Sequence, residues 1–266
     1  MRTLSQILLL PLAVALSLLS PVASAQQATI SALPHSVIEP AAEAYHYPTQ
    51  TLHYDAEWRL WKAGTATLRI EPATNGEMEH VTATAEASGA VVVLYRVEDR
   101  IESYFNRQTN CSDRILKHSE EGFHKRETTL VFDPIHGKSI LDERNLRNGE
   151  TKHQVTDSPA CVTDVLSGIY YLGAQRLDPG AVHIFPVNDG GKTVEATALV
   201  EGREDVKTDA GTFHTLRVVI YSGTGPLKGR GKVWIWYTDD PSHLPVQMRS
   251  HLFWGTLTLR LTRVDK

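Results

Sequence analysis

From Gly202 to Val264 apolar residues recur at every second position between short turns. A period of two marks a strand with one buried face, whereas a surface helix needs a period near 3.6. Leu257, Leu259 and Leu261 alternate with Thr256, Thr258 and Arg260. Val233 to Tyr237 is apolar at every position: Val233, Ile235 and Tyr237 fall on one face, Trp234 and Trp236 on the other. A strand covered on both sides reads this way. Asp209-Ala210-Gly211 and Asp239-Asp240-Pro241 supply turns between the runs. The stretch is therefore a series of antiparallel strands, and a helical bundle is excluded for it.

The same grammar extends towards the N-terminus. Leu52, Tyr54, Ala56, Trp58 and Leu60 alternate with polar residues, and Lys62-Ala63-Gly64 is expected to turn the chain. Ala66, Leu68 and Ile70 form the return face, and Val81, Ala83, Ala85 and Ala87 the next. Val97, Ile101 and Phe105 alternate further on. Ala90 to Tyr95 fits either a helical turn or a buried strand, because short apolar runs lack a decisive period. Asn188-Asp189-Gly190-Gly191 is a hairpin turn before Val194, Ala196, Ala198 and Val200. One helix interrupts the series. Ser158-Pro159 reads as an N-cap with proline at the first helical position, and Val162, Val165, Leu166, Ile169 and Tyr170 follow at helical spacing up to Gly173. The expected architecture is mainly β. It is a many-stranded antiparallel curved sheet, a barrel or half-barrel, with the 158–173 helix packed on or in it.

The first 25 residues read as a secretory signal. Arg2 precedes the apolar run Leu8–Leu19, and Ala23-Ser24-Ala25 matches a cleavage site. The run is shorter than the ~20 residues a spanning helix needs. Residues 26–49, with Pro34, Pro40 and Pro48, read as a linker, and 50–266 as a single β-rich domain. An exported protein, most simply periplasmic, without a membrane span after cleavage, is the expectation. Net charge is −4 at pH 7, and loss of Arg2 takes it to about −5. That balance argues against a nucleic-acid partner. Cys111 and Cys161 are the 2 cysteines. In an oxidising compartment a disulfide is the default reading, with two buried thiols as the alternative.

Several segments carry a more specific pattern. They are Asp99–Phe105 (DRIESYF), Val131–Asp133 (VFD), Asp164–Leu172 (DVLSGIYYL), Glu204–Val218 (EDVKTDAGTFHTLRV), Val233–Asp240 (VWIWYTDD), Leu244–Met248 (LPVQM) and Trp254–Leu261 (WGTLTLRL). Together they resemble DUF3108, a bacterial family of exported proteins of unknown function. The resemblance spans nearly the whole domain after the linker. It implies a β-rich envelope protein and carries over no active-site residue, since its shared positions are strand and turn residues. Some relatives carry a similar cysteine pair, which favours the disulfide.

Chemistry is harder to read. The 12 histidines are scattered without metal-ligand spacing, so neither a metal nor another cofactor is expected. Gly223–Lys232 is glycine-rich and basic, but a strand follows it and Pro226 removes a donor; a hairpin loop fits better than a phosphate cradle. No nucleophile motif occurs. The five tryptophans carry more information, being either core or the lining of a cavity. Trp234, Trp236 and Trp58, with Leu166, Ile169 and Tyr170 of the helix, are the candidates for a ligand-facing surface. Three functions follow in order. The first is a non-enzymatic envelope protein that holds an apolar or lipid-like ligand inside the curved sheet. The second is a solid-cored interaction module in envelope or polysaccharide assembly, with an envelope protein as partner. The third is a hydrolase built on a carboxylate pair. Oligomeric state is open.

Overall fold

A computed structural model describes residues 38–39, 47–59, 61–73, 76–89, 91–190, 192–222, 232–252 and 255–266. The signal segment, nearly all of the linker, most of the 223–232 loop and Trp254 lie outside these residues.

Eight strands form an antiparallel meander: β1 (Gln50–Trp58), β2 (Trp61–Pro72), β3 (Met78–Ala87), β4 (Val97–Asn106), β5 (Ser112–Glu121), β6 (His124–Asp133), β7 (Lys138–Asn145) and β8 (Thr151–Asp157). A short helix α1 (Val91–Leu94) joins β3 to β4, which settles the Ala90–Tyr95 alternative. After the second helix α2 (Val165–Gly173) six more strands follow: β9 (Val182–Asn188), β10 (Thr193–Thr208), β11 (Gly211–Tyr221), β12 (Val233–Thr238), β13 (Pro245–Leu252) and β14 (Gly255–Asp265). The last strand pairs antiparallel with the first, Ala56 opposite Leu259. One 14-stranded sheet results, in the order β8-β7-β6-β5-β4-β3-β2-β1-β14-β13-β12-β11-β10-β9.

The sheet curls but does not close by a ladder, because β8 and β9 are its two ends. Side chains and the chain between β8 and α2 span the gap instead. Asn188 of β9 donates to Ser139 Oγ of β7 at 3.2 Å. The Ser112 amide donates to the Val162 carbonyl, and Thr163 bridges β9 at Val187. The Cys111–Cys161 disulfide pins this segment to the start of β5, with Cα atoms 4.9 Å apart.

Two sequence expectations are corrected. The helix begins at Val165, not after Ser158. Asp164 is the N-cap, fully buried, and its carboxylate accepts from the Leu166 and Ser167 amides at 2.8 and 3.1 Å. Residues 162–163 are held extended by hydrogen bonds to β5 and β9, so the helical spacing that starts at Val162 is overridden by tertiary pairing. The first hairpin turns between Trp58 and Trp61, which already pair with each other, and Arg59 takes a positive φ of 59°. Gly64 is a strand residue opposite Ala56, and a Cβ there would lie 2.1 Å from the Glu86 carbonyl oxygen. Close approach of β3 is what requires glycine.

Helix α2 lies in the concavity. Leu166 and Tyr170, one turn apart, join Leu52, Tyr54, Leu68, Ile70, Val81 and Phe105 in one cluster. Tyr171 and Leu172 join Phe185, Val200, Val218, Ile235 and Tyr237 in a second. Tyr237 donates its hydroxyl to the Ile169 carbonyl at 2.8 Å, so the helix is also held by a buried polar contact.

Candidate functional site: the polar end of the concave face

Residues that pair across a sheet share a face. Tyr54 pairs with Ala66, Ala66 with Ala85, and Ala85 with Asp99. The apolar concave face of β1–β3 therefore continues into a carboxylate on β4. It stays polar beyond: Asp99 pairs with Ser119, and Ser119 with Arg126. Lys117 pairs with Thr128, Thr128 with Glu143, and Glu143 with Lys152. Only the lower part of this region is apolar, where Ile115, Leu130, Leu141 and Val162 form a small cluster of their own.

The charged part borders an open cleft of about 300 Å³, lined among others by Lys117, Glu121, Arg126, Glu143 and Asp189. Asp189 comes from the β9–β10 turn, on the far side of the gap in the sheet. Lys117 Nζ donates to the Asp189 carboxylate and, at 2.7 Å, to its carbonyl oxygen. The clasp links β5 to the β9–β10 turn across the cleft. Its ammonium is mostly covered, while the Asp189 carboxylate is half exposed.

Asp99 and Glu121 stand beside it. The Glu120 amide donates to Asp99 Oδ1 at 3.0 Å. Partial burial, and then the Glu121 carboxylate next to it, push the Asp99 carboxyl from 3.8 up to about 6. A hydrogen bond also links the two side chains. Below the cleft Asp164 anchors the wall. Its Oδ2 accepts from Ser103 and Ser112 at 2.5 and 2.8 Å, in addition to the two helical amides.

The aromatic candidates sit elsewhere. Trp236 is 4 % exposed. It pairs with Arg217 and Gln247, and Gln247 pairs with Arg260, which is opposite Asp55, so its strand register differs from that of Tyr54, although both side chains belong to the first cluster. Its indole donates to Glu204 Oε1, and the Arg249 guanidinium lies 5.2 Å from its ring. Trp234 is half-buried, its ring 5.0 Å from that of His251. Trp58 is half-buried under the Arg59 guanidinium. Leu166 and Tyr170 are buried in the first cluster, while Ile169 packs against the second. The two Trp residues, Leu166 and Tyr170 thus share one cluster, and neither Trp58 nor Ile169 joins them. Groups of three or more potential metal ligands do not occur among the described residues.

In the sequence Val97, Ile101 and Phe105 mark the inward face of β4 and mask the cleft residues between them. Asp99 and Ser103 occupy the same parity, so the inward register of β4 alternates apolar and polar. Polar residues recurring at inward positions of β4, β5 and β6 were the available signal.

No described helix is long and apolar enough to cross a membrane. No curated protein matches the sequence. Among solved structures, a β-barrel-like protein of the domain of unknown function DUF1849 from Brucella abortus superposes with a TM-score of 0.57 at 10% identity, over 86% of this chain and 98% of that one. An exported protein with a YmcC-like fold from Bacteroides fragilis gives 0.36 at 10% identity, over 84% and 98%. A lipoprotein from Parabacteroides distasonis gives 0.36 at 9% identity, over 83% and 97%. The first likeness shows a shared fold. Residues 53–262 match the family model for DUF3108, protein of unknown function, and the chain belongs to that family.

Proposed function

We propose that this is an exported, non-enzymatic envelope protein that binds a polar, charged ligand in the cleft between β4–β8 and the β9–β10 turn. One observation carries the reading: the concave face is divided. Its apolar part is occupied by Leu166, Tyr170, Tyr171 and Leu172 of α2, whereas its charged part is open. An acyl chain gains by burying apolar surface, and here α2 already covers that surface. A ligand with its own charges finds Lys117, Arg126 and Lys152 beside Glu121 and Glu143. Such pre-placed groups orient a polar ligand and cost little reorganisation. The reading is thus the solid-cored interaction module, with this cleft as its proposed contact surface. Export is supported by the N-terminal segment and by the disulfide.

The test is a titration followed by thermal shift and by native mass spectrometry of protein purified from its host. Muropeptides and charged oligosaccharides are expected to stabilise the protein, with the effect lost in Lys117→Ala/Arg126→Ala. Palmitate and lysophospholipid are expected to leave it unchanged. A co-purified acyl ligand, or stabilisation by palmitate alone, would overturn the reading.

The Asp99–Glu121 pair bears on the hydrolase alternative. Carboxyls joined by a hydrogen bond are closer than the roughly 5–9.5 Å kept by glycosidase pairs. The pair therefore lacks the separation of a glycosidic acid and base.

A further inference from the structure

The antiparallel order puts the turns of this sheet on two opposite rims. One rim carries the β1–β2 turn, the β3–β4 connection with α1, the β5–β6 turn and the β7–β8 turn. Large apolar side chains project from it: Trp61 is 78 % exposed, Val93 88 % and Phe123 81 %, with Val92 and Tyr95 also open. Successive hairpins are about 10 Å apart along a rim, two strand spacings, so these tips form a row. They also touch. The Ser88 amide donates to the Ala63 carbonyl, and the Gly122 amide to the Arg96 carbonyl. Arg147 of the β7–β8 turn donates to the Phe123 carbonyl at 3.1 Å and stands 5.6 Å from its ring.

The turn tips of this stretch of rim are basic, although Glu57, Glu98, Glu121 and Glu150 flank them in the strands and Asp189 stands in the β9–β10 turn on the same rim. Residues 58–62, 87–97, 122–126 and 146–149 contain Arg59, Lys62, Arg96, Lys125, Arg126 and Arg147 and no aspartate or glutamate. The opposite rim carries Asp209 in the β10–β11 turn and Asp239 and Asp240 in the β12–β13 turn. The protein as a whole is acidic, at −4, so the basic tips run against its average. Lys62, Arg96, Lys125 and Arg126 meet Asp55, Glu98, Glu120 and Glu143 in the strands, while Arg147 has no carboxylate partner among the described residues.

Exposed Trp, Tyr and Phe among Arg and Lys are the side chains that settle at a membrane–water interface. The rings enter the headgroup layer, and the cations meet anionic phosphates. Separate tips on separate turns can each enter a fluid layer, whereas a protein partner would need a continuous complementary surface. We propose that this rim docks the protein peripherally on an anionic bilayer, with Trp61, Val93 and Phe123 as insertion points and Arg96 and Arg147 as phosphate contacts. The cleft opens next to this rim, because Glu121 and His124 line it and flank Phe123. Docking would therefore present the cleft to material at the membrane surface.

The experiment is co-sedimentation of the protein, purified as cells produce it, with vesicles of phosphatidylcholine alone or with 30 mol % phosphatidylglycerol added. Binding is expected only with the anionic lipid, and to weaken with salt. Trp61→Ser/Val93→Ser/Phe123→Ser is expected to bind at least tenfold more weakly. Because its substitutions are exposed, its melting temperature should match the parent. Arg96→Ala/Arg147→Ala is an independent arm, with a loss of about fivefold per cation removed. Absence of binding to anionic vesicles, or unchanged binding by both variants, overturns the proposal. So does a dimer in sedimentation velocity that the serine variant abolishes without any vesicle binding, since a second copy would then be the occupant. Failure here leaves the ligand titration of the cleft untouched, because the two tests use different variants and probes.

Discussion

Asp99→Asn is expected to stabilise this protein above neutral pH and to leave it unchanged near pH 4. The substitution keeps the acceptor for the Glu120 amide and gives Glu121 a donor. In the native state burial and Glu121 raise Asp99 from 3.8 to about 6. A raised carboxyl holds its proton longer when folded than when unfolded. Between about pH 4 and pH 6 the folded state binds more protons, and stability falls as pH rises through that window. The gap of about two pH units corresponds to at most about 3 kcal/mol. Solvent reaches this partly buried carboxyl, so about 1–2 kcal/mol is the realistic penalty at pH 7.5. Asparagine removes it. Urea unfolding of parent and variant at pH 4, 5, 6, 7 and 8 gives the difference curve, and thermal unfolding should show roughly 2–4 °C per kcal/mol. The expected curve starts near zero at pH 4 and climbs to about 1–2 kcal/mol by pH 7. A flat curve would refute the reasoning. A variant less stable at pH 7 would refute it as well, because the Asp99 charge would then be net stabilising.

Other perturbations follow from the same structure. Replacing Cys111 and Cys161 by serine opens a 50-residue loop. It is expected to cost about 4 kcal/mol in the chain-entropy account, read as a lower urea midpoint that reducing agent does not lower further. Asp164→Ala removes the helix cap and leaves Ser103 and Ser112 without their buried acceptor. A loss of about 3 kcal/mol is expected, and Asp164→Asn should recover part of it by keeping the cap. Gly64→Ala forces a Cβ against the Glu86 carbonyl. It should cost about 3 kcal/mol and speed hydrogen exchange of the β2–β3 amides, while Gly76→Ala, where no atom stands near the added Cβ, serves as the milder comparison despite its positive φ.

Much of the architecture was legible from local pattern. Strand existence followed from alternation in Leu52–Trp58, Val81–Ala87 and Leu257–Leu261, and the turns at Asp189, Ala210 and Asp240 followed from their residues. The two-sided character of Val233–Tyr237 was legible too: Ile235 and Tyr237 lie in one cluster and Trp234 and Trp236 in another. Boundaries set by long-range contacts were not. The helix starts six residues later than the Ser158-Pro159 signal suggests, because Asp164 finds donors from β4 and β5 that no local rule contains.

Alternation and turn chemistry are local properties, written in residue types at short spacing, so the chain by itself determined a β-rich sheet with one substantial helix, and its two cysteines favoured a disulfide. Register, curvature and the closing of the gap depend on pairs such as Asp99 with Ser119 and Lys117 with Asp189, up to 72 residues apart. Only the tertiary structure decided those. It placed α2 over the apolar part of the concave face, left the charged part open, and gathered the exposed aromatics of separate turns on one rim. Each of these outcomes is a matter of which face a residue shares with distant strands, and a side chain's own neighbours in the chain do not encode it.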